Sequence, residues 1–533
     1  MASLEEPSEP STFVHQSTSP QVSGLVVSGD VHENPALSSH LGHAKGTRER
    51  PRQSDLRNSS GWQIHRRVMA DRQHDSSESY AQDPRDRTLR PLGIVRLGPS
   101  GSYAPATLPP VDANSDSVVT RRVLPVALAH LVDDPVVLLE GPRSVGKSTL
   151  LRQISTAIGG RIVDLDDPGT REAVAADPAT FVAGGEPVCI DEYQKAPIVL
   201  EAIKAELNRD SRPGRFVLTG STRHEALPDS AQALTGRLSR LTVSPLSQGE
   251  LGGQRETLLA DLLSENSDLV GRTPTSATTR EQYIERIVAG GFPLVLAKSS
   301  SAARNRWIDD YVELTLGRDI RDVSRVRQAH LMAPLFHQLA SQTAQVLNIE
   351  KASRDVGLDR PATYRYLDLL ETVFLIYRLP GWGKNLRARA TSAPKVHVLD
   401  SGVASRLLRL TPAKLASLDV TSMTELGHLL ETFAVGEIRK QASWLDDVGP
   451  LGHWRTSDGD EVDLVVERDD GAVVAFEVKA AGRVPGDEFR GLRKLRAALG
   501  TRFLAGVVLY LGPRSYTFED RLHAMPMDRI WTP

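Results

Sequence analysis

The chain has a single cysteine, Cys189, in 533 residues. That excludes an internal disulfide framework and any multi-cysteine metal site, and it suits a reducing compartment. No apolar run approaches the roughly eighteen residues that span a bilayer, so no membrane partner is expected. The N-terminus, MASLEEPSEP, is acidic and has no apolar core of the kind a secretory leader needs. An excess of one charge is missing too: 64 Lys and Arg stand against 67 Asp and Glu, a net of −3. The whole chain is therefore no polycation built for bulk nucleic-acid binding, and any such contact must be a local patch. A cytoplasmic protein is expected.

Residues 1–117 lack the apolar periodicity of a fold. They hold 19 Ser and 11 Pro but one Lys, Lys45, and four aromatics, Phe13, Trp62, Tyr80 and Tyr103. So little apolar surface does not offset the entropy of ordering, and a disordered extension is expected. Beyond it, PVVLLE (135–140), RIVDLDD (161–167), PVCIDE (187–192) and RFVLTGS (215–221) read as short buried strands with helical stretches between. That alternation predicts an α/β domain with a mostly parallel sheet over 118–252. Residues 253–280 are polar and turn-rich and read as a linker or insertion. Residues 281–423 read as helical, and 424–533 as a second α/β domain that opens on a helix.

The strongest pattern is Gly141-Pro142-Arg143-Ser144-Val145-Gly146-Lys147-Ser148-Thr149, which fits G-x4-G-K-[ST] and stands between an apolar strand and a helix. Glycine lets backbone N–H groups turn inward around phosphates, and the following helix aims its N-terminus at the same charge. Lys147 is expected to reach the β- and γ-phosphates of ATP, with the Ser148 hydroxyl on Mg²⁺. A second element follows. Val188-Cys189-Ile190 runs into Asp191 and Glu192; Asp191 is placed to hold Mg²⁺, directly or through water, and Glu192 to polarise the attacking water. Cys189 then lies inside a buried strand as a packing residue. The strand FVLTGS carries Thr219 and Ser221 at its end, candidates for sensing the γ-phosphate or simply for capping the strand. Arg237 reads as an arginine finger, acting in cis or from a neighbouring subunit of a homo-oligomer, or as a surface ion pair; Arg318 is its rival.

With these motifs the chain resembles a family of prokaryotic AAA-type ATPases whose C-terminal half is a domain of unknown function. The resemblance runs from about 120 to 515 through GPRSVGKST, VDLDDP (163–168), CIDEYQKAP (189–197), LTGS (218–221), LTGRLSRLTVSPLSQGEL (234–251) and GGFP (290–293). It continues through YVELTLGRDI (311–320), RYLDLLE (365–371), PKVHVLDSG (394–402), GHWRTSDGDEVDLVVE (452–467) and FEVKA (476–480). It implies a P-loop fold and ATP hydrolysis.

Two further elements bear on what ATP hydrolysis would drive. Residues 349–379 read as a short helix, a turn at Gly357, a helix of about 12 residues and a strand, VFLIYRL, the order of a helix-turn-helix with a wing. In that reading Arg360, Thr363, Tyr364 and Arg365 face DNA; in the plainer one Leu367, Leu370 and Val373 make a packing face. Near the C-terminus, the turn Asp469-Asp470-Gly471 pairs 468 with 472 and so Asp463 with Glu477, while period two puts Glu477 and Lys479 on one face. Asp463, Glu477 and Lys479 then resemble the D…(D/E)-x-K core of the PD-(D/E)XK nucleases, two carboxylates for Mg²⁺ and a lysine for the developing charge. An acid on the preceding helix completes that core. Glu431 and Glu437 are candidates about 120° apart on the helix, and Glu431 fits better. Arg490, Arg493, Lys494 and Arg496 on a later helix suit a DNA backbone or a solvated face. The expected protein couples ATP hydrolysis to action on a macromolecule, DNA first; the alternative is a nucleotide-switched binding protein whose C-terminal domain does not cut.

Overall fold

The computed structural model describes residues 119–532 apart from 224–233, 265–269, 271–273, 325–326 and 384–392; the expected extension, 1–117, lies outside them. Five short strands form the first sheet: β1 (Val136–Glu140), β2 (Arg161–Asp164), β3 (Val188–Asp191), β4 (Phe216–Gly220) and β5 (Leu238–Thr242). They run parallel in the order β2-β3-β4-β1-β5. Each central strand is apolar at nearly every position because both faces are covered. Val136 and Leu138 pack with Val199, Leu200 and Ile203 of one helix layer, while Val137 and Leu139 pack with Leu150, Leu151 and Ile154 of the other. Period two decides which residue meets which layer. Cys189 is buried in β3, and burial pushes its thiol up to about 11, as befits an inert packing residue.

The segment expected to be a linker or insertion contains a helix, Leu258–Leu263, whose four leucines are buried. Its spacing is too short to announce a helix in the sequence; tertiary packing forms it. Beyond it comes a helical layer that includes Arg280–Ala289, Ser301–Leu314 and Met332–Ala340. Ser301–Leu314 runs on through a π turn, Thr315–Asp319, a feature that interrupts the regular ladder.

A second small sheet follows: β6 (Gln345–Val346), helices Ile349–Val356 and Arg360–Thr372, β7 (Ile376–Leu379) and β8 (Lys395–Val398), with strand order β6-β8-β7, all antiparallel. Asn348 and Asp359 cap the two helices by accepting from Lys351 N and Ala362 N, and Gly357 makes the turn at φ +76°.

The last part opens with the 23-residue helix Val420–Ala442. It continues as β9 (Gly452–Arg455), β10 (Glu461–Glu467), β11 (Val473–Lys479), helix Arg490–Leu499, β12 (Phe503–Tyr510), β13 (Tyr516–Glu519) and β14 (Leu522–Pro526). The mixed sheet reads β13-β14-β12-β11-β10-β9, with β10 and β11 an antiparallel hairpin and β12 parallel to β11. Helix Arg490–Leu499 covers one face through Leu492, Leu495 and Leu499, and Val420–Ala442 covers the other.

One apolar cluster runs without a break from Val137 and Leu139 of β1, through Tyr283 and Phe336, to Leu464 and Phe476 of the last sheet. The three regions therefore share a core instead of hanging on linkers. Phe476→Ala should lower stability by about 3–5 kcal/mol, and the P-loop region should melt with the rest in a single calorimetric transition. Two separated transitions would show that the core is divided.

Candidate functional site

The phosphate loop starts where β1 ends. Gly141 N donates to Gly220 O of the neighbouring β4 at 3.2 Å, and a Cβ at Gly141 would lie 2.2 Å from Val243 O. Gly146 sits at φ +93° and opens helix Lys147–Ile158, a backbone that L side chains avoid. Lys147 is buried and its Nζ donates to Gly141 O at 2.9 Å and Pro142 O at 2.8 Å. The loop thus forms a cradle around its own ammonium, with Ser148 and Thr149 half-buried at the start of the helix. Burial pushes the Lys147 ammonium down to about 8, against the upward pull of Glu192 and Asp191. These residues fit a triphosphate with Mg²⁺: loop amides and Lys147 for the phosphates, Ser148 and Asp191 for the metal, which when bound supplies Lewis-acid stabilisation of the phosphoryl charge.

β4 lies between β1 and β3, so the strand end bearing Thr219 stands between the loop and the carboxylates. Thr219 is fully buried; its hydroxyl donates to Asp191 Oδ1 and accepts from Glu192 N–H at 3.0 Å. Gln194 Nε2 donates to Glu192 Oε2 and to Ser221 Oγ, the latter at 2.9 Å. Glu192 holds φ +54°, a conformation that persists at a non-glycine residue only when its surroundings over-determine it. The structure brings Lys147, Asp191, Glu192, Thr219 and Ser221 to one edge of the sheet.

Arg237 is not among them. Leu238 pairs with Val136, the first residue of β1, so Arg237 lies at the opposite edge, roughly 16 Å from the loop at about 3.3 Å per residue. Its Nη1 donates to Asn208 Oδ1 at 2.9 Å. This placement puts a finger in cis out of reach, which leaves the surface contact, here with Asn208, and the route from a neighbouring subunit. Its rival Arg318 is nearer: it is exposed in the π turn beside Asp319, whose Oδ2 accepts from Arg143 Nε of the phosphate loop at 2.7 Å.

Sequence reasoning missed Arg121. This buried arginine donates to Val145 O of the loop at 2.7 Å, to Ser244 O at 2.7 Å and to Glu250 Oε1 at 3.1 Å. Its partners lie up to 129 residues away, and nothing in TRRVLP marks it.

The second cluster forms on the last sheet. Leu464 pairs with Phe476, and one step further the ladder sets Asp463 opposite Glu477. Lys479 pairs with Glu477 at 2.9 Å and with Glu488 at 2.9 Å. Burial alone would lower its ammonium, but those two carboxylates outweigh burial and hold it above its usual range. Burial, then Asp463, pushes the Glu477 carboxyl up to about 8. Of the two helix acids, Glu431 joins the cluster, while Glu437 turns away to Lys440 at 2.6 Å and to Gln248 N at 2.8 Å. A cavity of about 580 Å³ opens over the group.

Its centre is taken by Lys395 at the start of β8. The Lys395 Nζ lies 2.7 Å from Glu431, 2.5 Å from Glu461 and 2.9 Å from Asp463. The other Asp463 oxygen accepts from Val478 N at 2.9 Å. Among the described residues no group of three or more His, Cys, Asp or Glu side chains could hold a metal ion. Mg²⁺ expected on Asp463 and Glu477 would have to share this space with an ammonium 2.9 Å from Asp463. The one sequence signal for Lys395 is a lone charge in the buried strand KVHV.

The expected DNA contacts change as well. Arg490 and Lys494 both pair with Asp460, and Arg493 and Arg496 with Glu519, so four cations share two carboxylates and half of the positive charge of the helix is left unmatched. Thr363 is buried, sharing its hydroxyl with Ser353 Oγ at 2.9 Å and donating to Asp359 O at 2.9 Å, so it faces inward. Arg360 pairs with Glu350 at 3.4 Å and lies over the Tyr364 ring; Tyr364 and Arg365 are exposed.

The fold and the loop define an α/β P-loop domain, and comparison with known proteins places it as AAA-type. Residues 133–252 match the family described as AAA domain. Residues 280–414 and 426–530 match two families described as domains of unknown function, DUF8612 and DUF4143. An uncharacterized protein of Mycobacterium tuberculosis is 28% identical over 400 residues, 75% of this chain and 81% of its own length. One from Haemophilus influenzae is 24% identical over 297 residues, 54% and 64%. Among solved structures, the Walker-type ATPase of Pyrococcus abyssi aligns with 55% of this chain and 96% of its own at 16% identity and TM-score 0.33. DnaA of Aquifex aeolicus, solved with AMPPCP, aligns with 47% and 86% at 13% identity and TM-score 0.21. No helix among the described residues is long and apolar enough to cross a membrane.

Two outcomes test the loop. Because the nucleotide-free Lys147 loses its proton near pH 8, ATP binding above that pH must take a proton up. Affinity by titration calorimetry should then fall by up to about tenfold per pH unit above 8 and stay flat below 7; a flat profile throughout would remove Lys147 from phosphate binding. Thr219→Ala, which releases Asp191 and Glu192, should slow turnover by about 10²-fold while ATP affinity changes little.

Proposed function

We propose that the chain is an ATP-hydrolysing switch that acts on a macromolecule, DNA being the first candidate, from the cytoplasm. ATP and Mg²⁺ occupy the phosphate loop; Glu192 orients the attacking water and Thr219 aligns it with Asp191. The helices Ile349–Val356 and Arg360–Thr372 with β6, β7 and β8 act as a winged helix, and the last domain is a nuclease-like frame of helix, three strands, helix and strand. The observation that carries the switch lies on β4. Thr219 holds the Asp191 carboxylate and the Glu192 backbone N–H, and four residues on, Arg223 donates from N to Thr372 O at 3.1 Å and from Nε to Glu371 O at 3.0 Å. A nucleotide-dependent shift of the β4 end is thereby handed to the second helix of the pair. Arg237 is left to act as a finger in trans, which requires a homo-oligomer.

A second reading, cleavage of DNA, is favoured by the juxtaposition of Asp463, Glu477 and Lys479 on one hairpin. Both are tested by measuring ATP turnover with and without linear and supercoiled DNA and Mg²⁺, with Lys147→Ala as the inactive control. Turnover stimulated by DNA that stays intact is the expected result. Cleavage lost in Lys479→Ala would move the reading to the nuclease, and no response to DNA would move it to a protein partner.

A further inference from the structure

We infer that the carboxylate pocket of the last sheet carries its own cation: the Lys395 ammonium takes the place of a divalent metal, so that the wild-type pocket binds neither Mg²⁺ nor Mn²⁺, and removing this one side chain converts the pocket into a metal site. The frame that presents the carboxylates rests on the nuclease-like reading; the substitution of lysine for metal rests on the geometry itself.

Three carboxylates from two elements, Glu431 on the long helix and Glu461 and Asp463 on β10, converge on Lys395 Nζ at 2.5 to 2.9 Å. An ammonium has three donors and no acceptor, and here each donor has one carboxylate. Oxygens around a hard divalent cation stand at roughly 2.0–2.6 Å, a shell only slightly tighter than the one drawn around Nζ. A further oxygen waits beside it: Glu477 is 8% exposed, and its Oε2 is buried without a hydrogen-bond partner. An ordinary salt bridge would have no use for that orphan. A cation-centred pocket with one lysine in the metal's place accounts for it, because one ammonium saturates at three partners while a metal takes more.

The cation also comes from outside the domain that supplies the acids. Lys395 belongs to β8, and its strand position is fixed by pairing with Leu379 of β7. The small sheet therefore inserts its lysine into the larger domain, and the two cations exclude each other: as long as β8 stays seated against helix Val420–Ala442, the metal has no room. Lys479, paired with Glu477 and Glu488, is a separate cation at the pocket edge and does not fill the centre.

Manganese titration followed by electron paramagnetic resonance tests this on the full chain, nucleotide-free and in a Lys147→Ala background so that the phosphate loop contributes nothing. The parent should show no Mn²⁺ binding that depends on Asp463. Lys395→Met should gain one Mn²⁺ per chain, Lys395→Arg should not, and Asp463→Asn added to Lys395→Met should weaken the new site by about tenfold or more. Mn²⁺ should also raise the melting temperature of the Met variant and leave the parent unchanged. If Lys395→Met does not fold without metal, Lys395→Met with Glu431→Gln removes one of the uncompensated charges and takes its place. Asp463-dependent Mn²⁺ binding by the parent, or a folded Met variant that binds none, overturns the proposal. ATP calorimetry on the chain with Lys147 intact reports on the switch separately, so the two readings fail independently.

Discussion

A buried arginine ties the phosphate loop to everything that follows it in the chain. Arg121 grips Val145 O from outside the loop and sets its Nε on Glu250, and Glu250 also accepts from Ser247 N and Arg122 N. Breaking such a buried pair on one side strands the other charge at a cost of about 3–5 kcal/mol, so loop and helix Gln248–Gly252 hold a fixed relation. The same short helix offers Gln248 N to Glu437 at 2.8 Å. One guanidinium thus connects the nucleotide end of the first sheet to the long helix of the last domain.

Charged groups recur at each seam, where apolar packing alone would let layers slide. Arg223 joins the end of β4 to the helix pair, Lys440 donates to Leu246 O at 3.0 Å, and Lys395 joins β8 to the last sheet. Asp400 does the same for two loops, accepting from Gly291 N with one oxygen and capping helix Ser401–Leu407 with the other. Hydrogen bonds to buried charges have one good geometry and lose most of their value a fraction of an ångström away. The seams therefore have discrete positions, which is what a nucleotide-driven change requires. Helix Val420–Ala442 receives several of these contacts, with Glu431 at the carboxylate pocket and Glu437 and Lys440 on the first domain's side.

Where one residue type in one spacing has a single economical explanation, the fold and site were legible. The phosphate loop, the apolar strand before it and the acids at the end of β3 belong to that kind, as does the hairpin arithmetic that sets Asp463 against Glu477. Helix geometry said that Glu431 and Glu437 cannot both face the pocket, and the resemblance to the nuclease core chose Glu431. What the sequence left open shares a cause as well. Arg237 stayed open between a finger and a surface contact because its distance from the loop depends on strand direction and register, which a finger motif does not state. The basic helix stayed open between a DNA backbone and a solvated face, and its pairing with Asp460 and Glu519 was hidden because they are remote in sequence. Thr363 looked exposed until its hydroxyl was needed by Ser353 and Asp359.

Local spacing was enough to determine the cradle for a triphosphate, the parallel sheet beneath it and the existence of an acidic hairpin, because turns, strand alternation and helix starts depend on residues within a few positions of one another. Which charges meet was decided only by tertiary structure. Arg121 with Glu250, Arg143 with Asp319 and Lys395 with Asp463 pair across 129, 176 and 68 residues. Coulomb attraction and desolvation act through space, and the chain records neither.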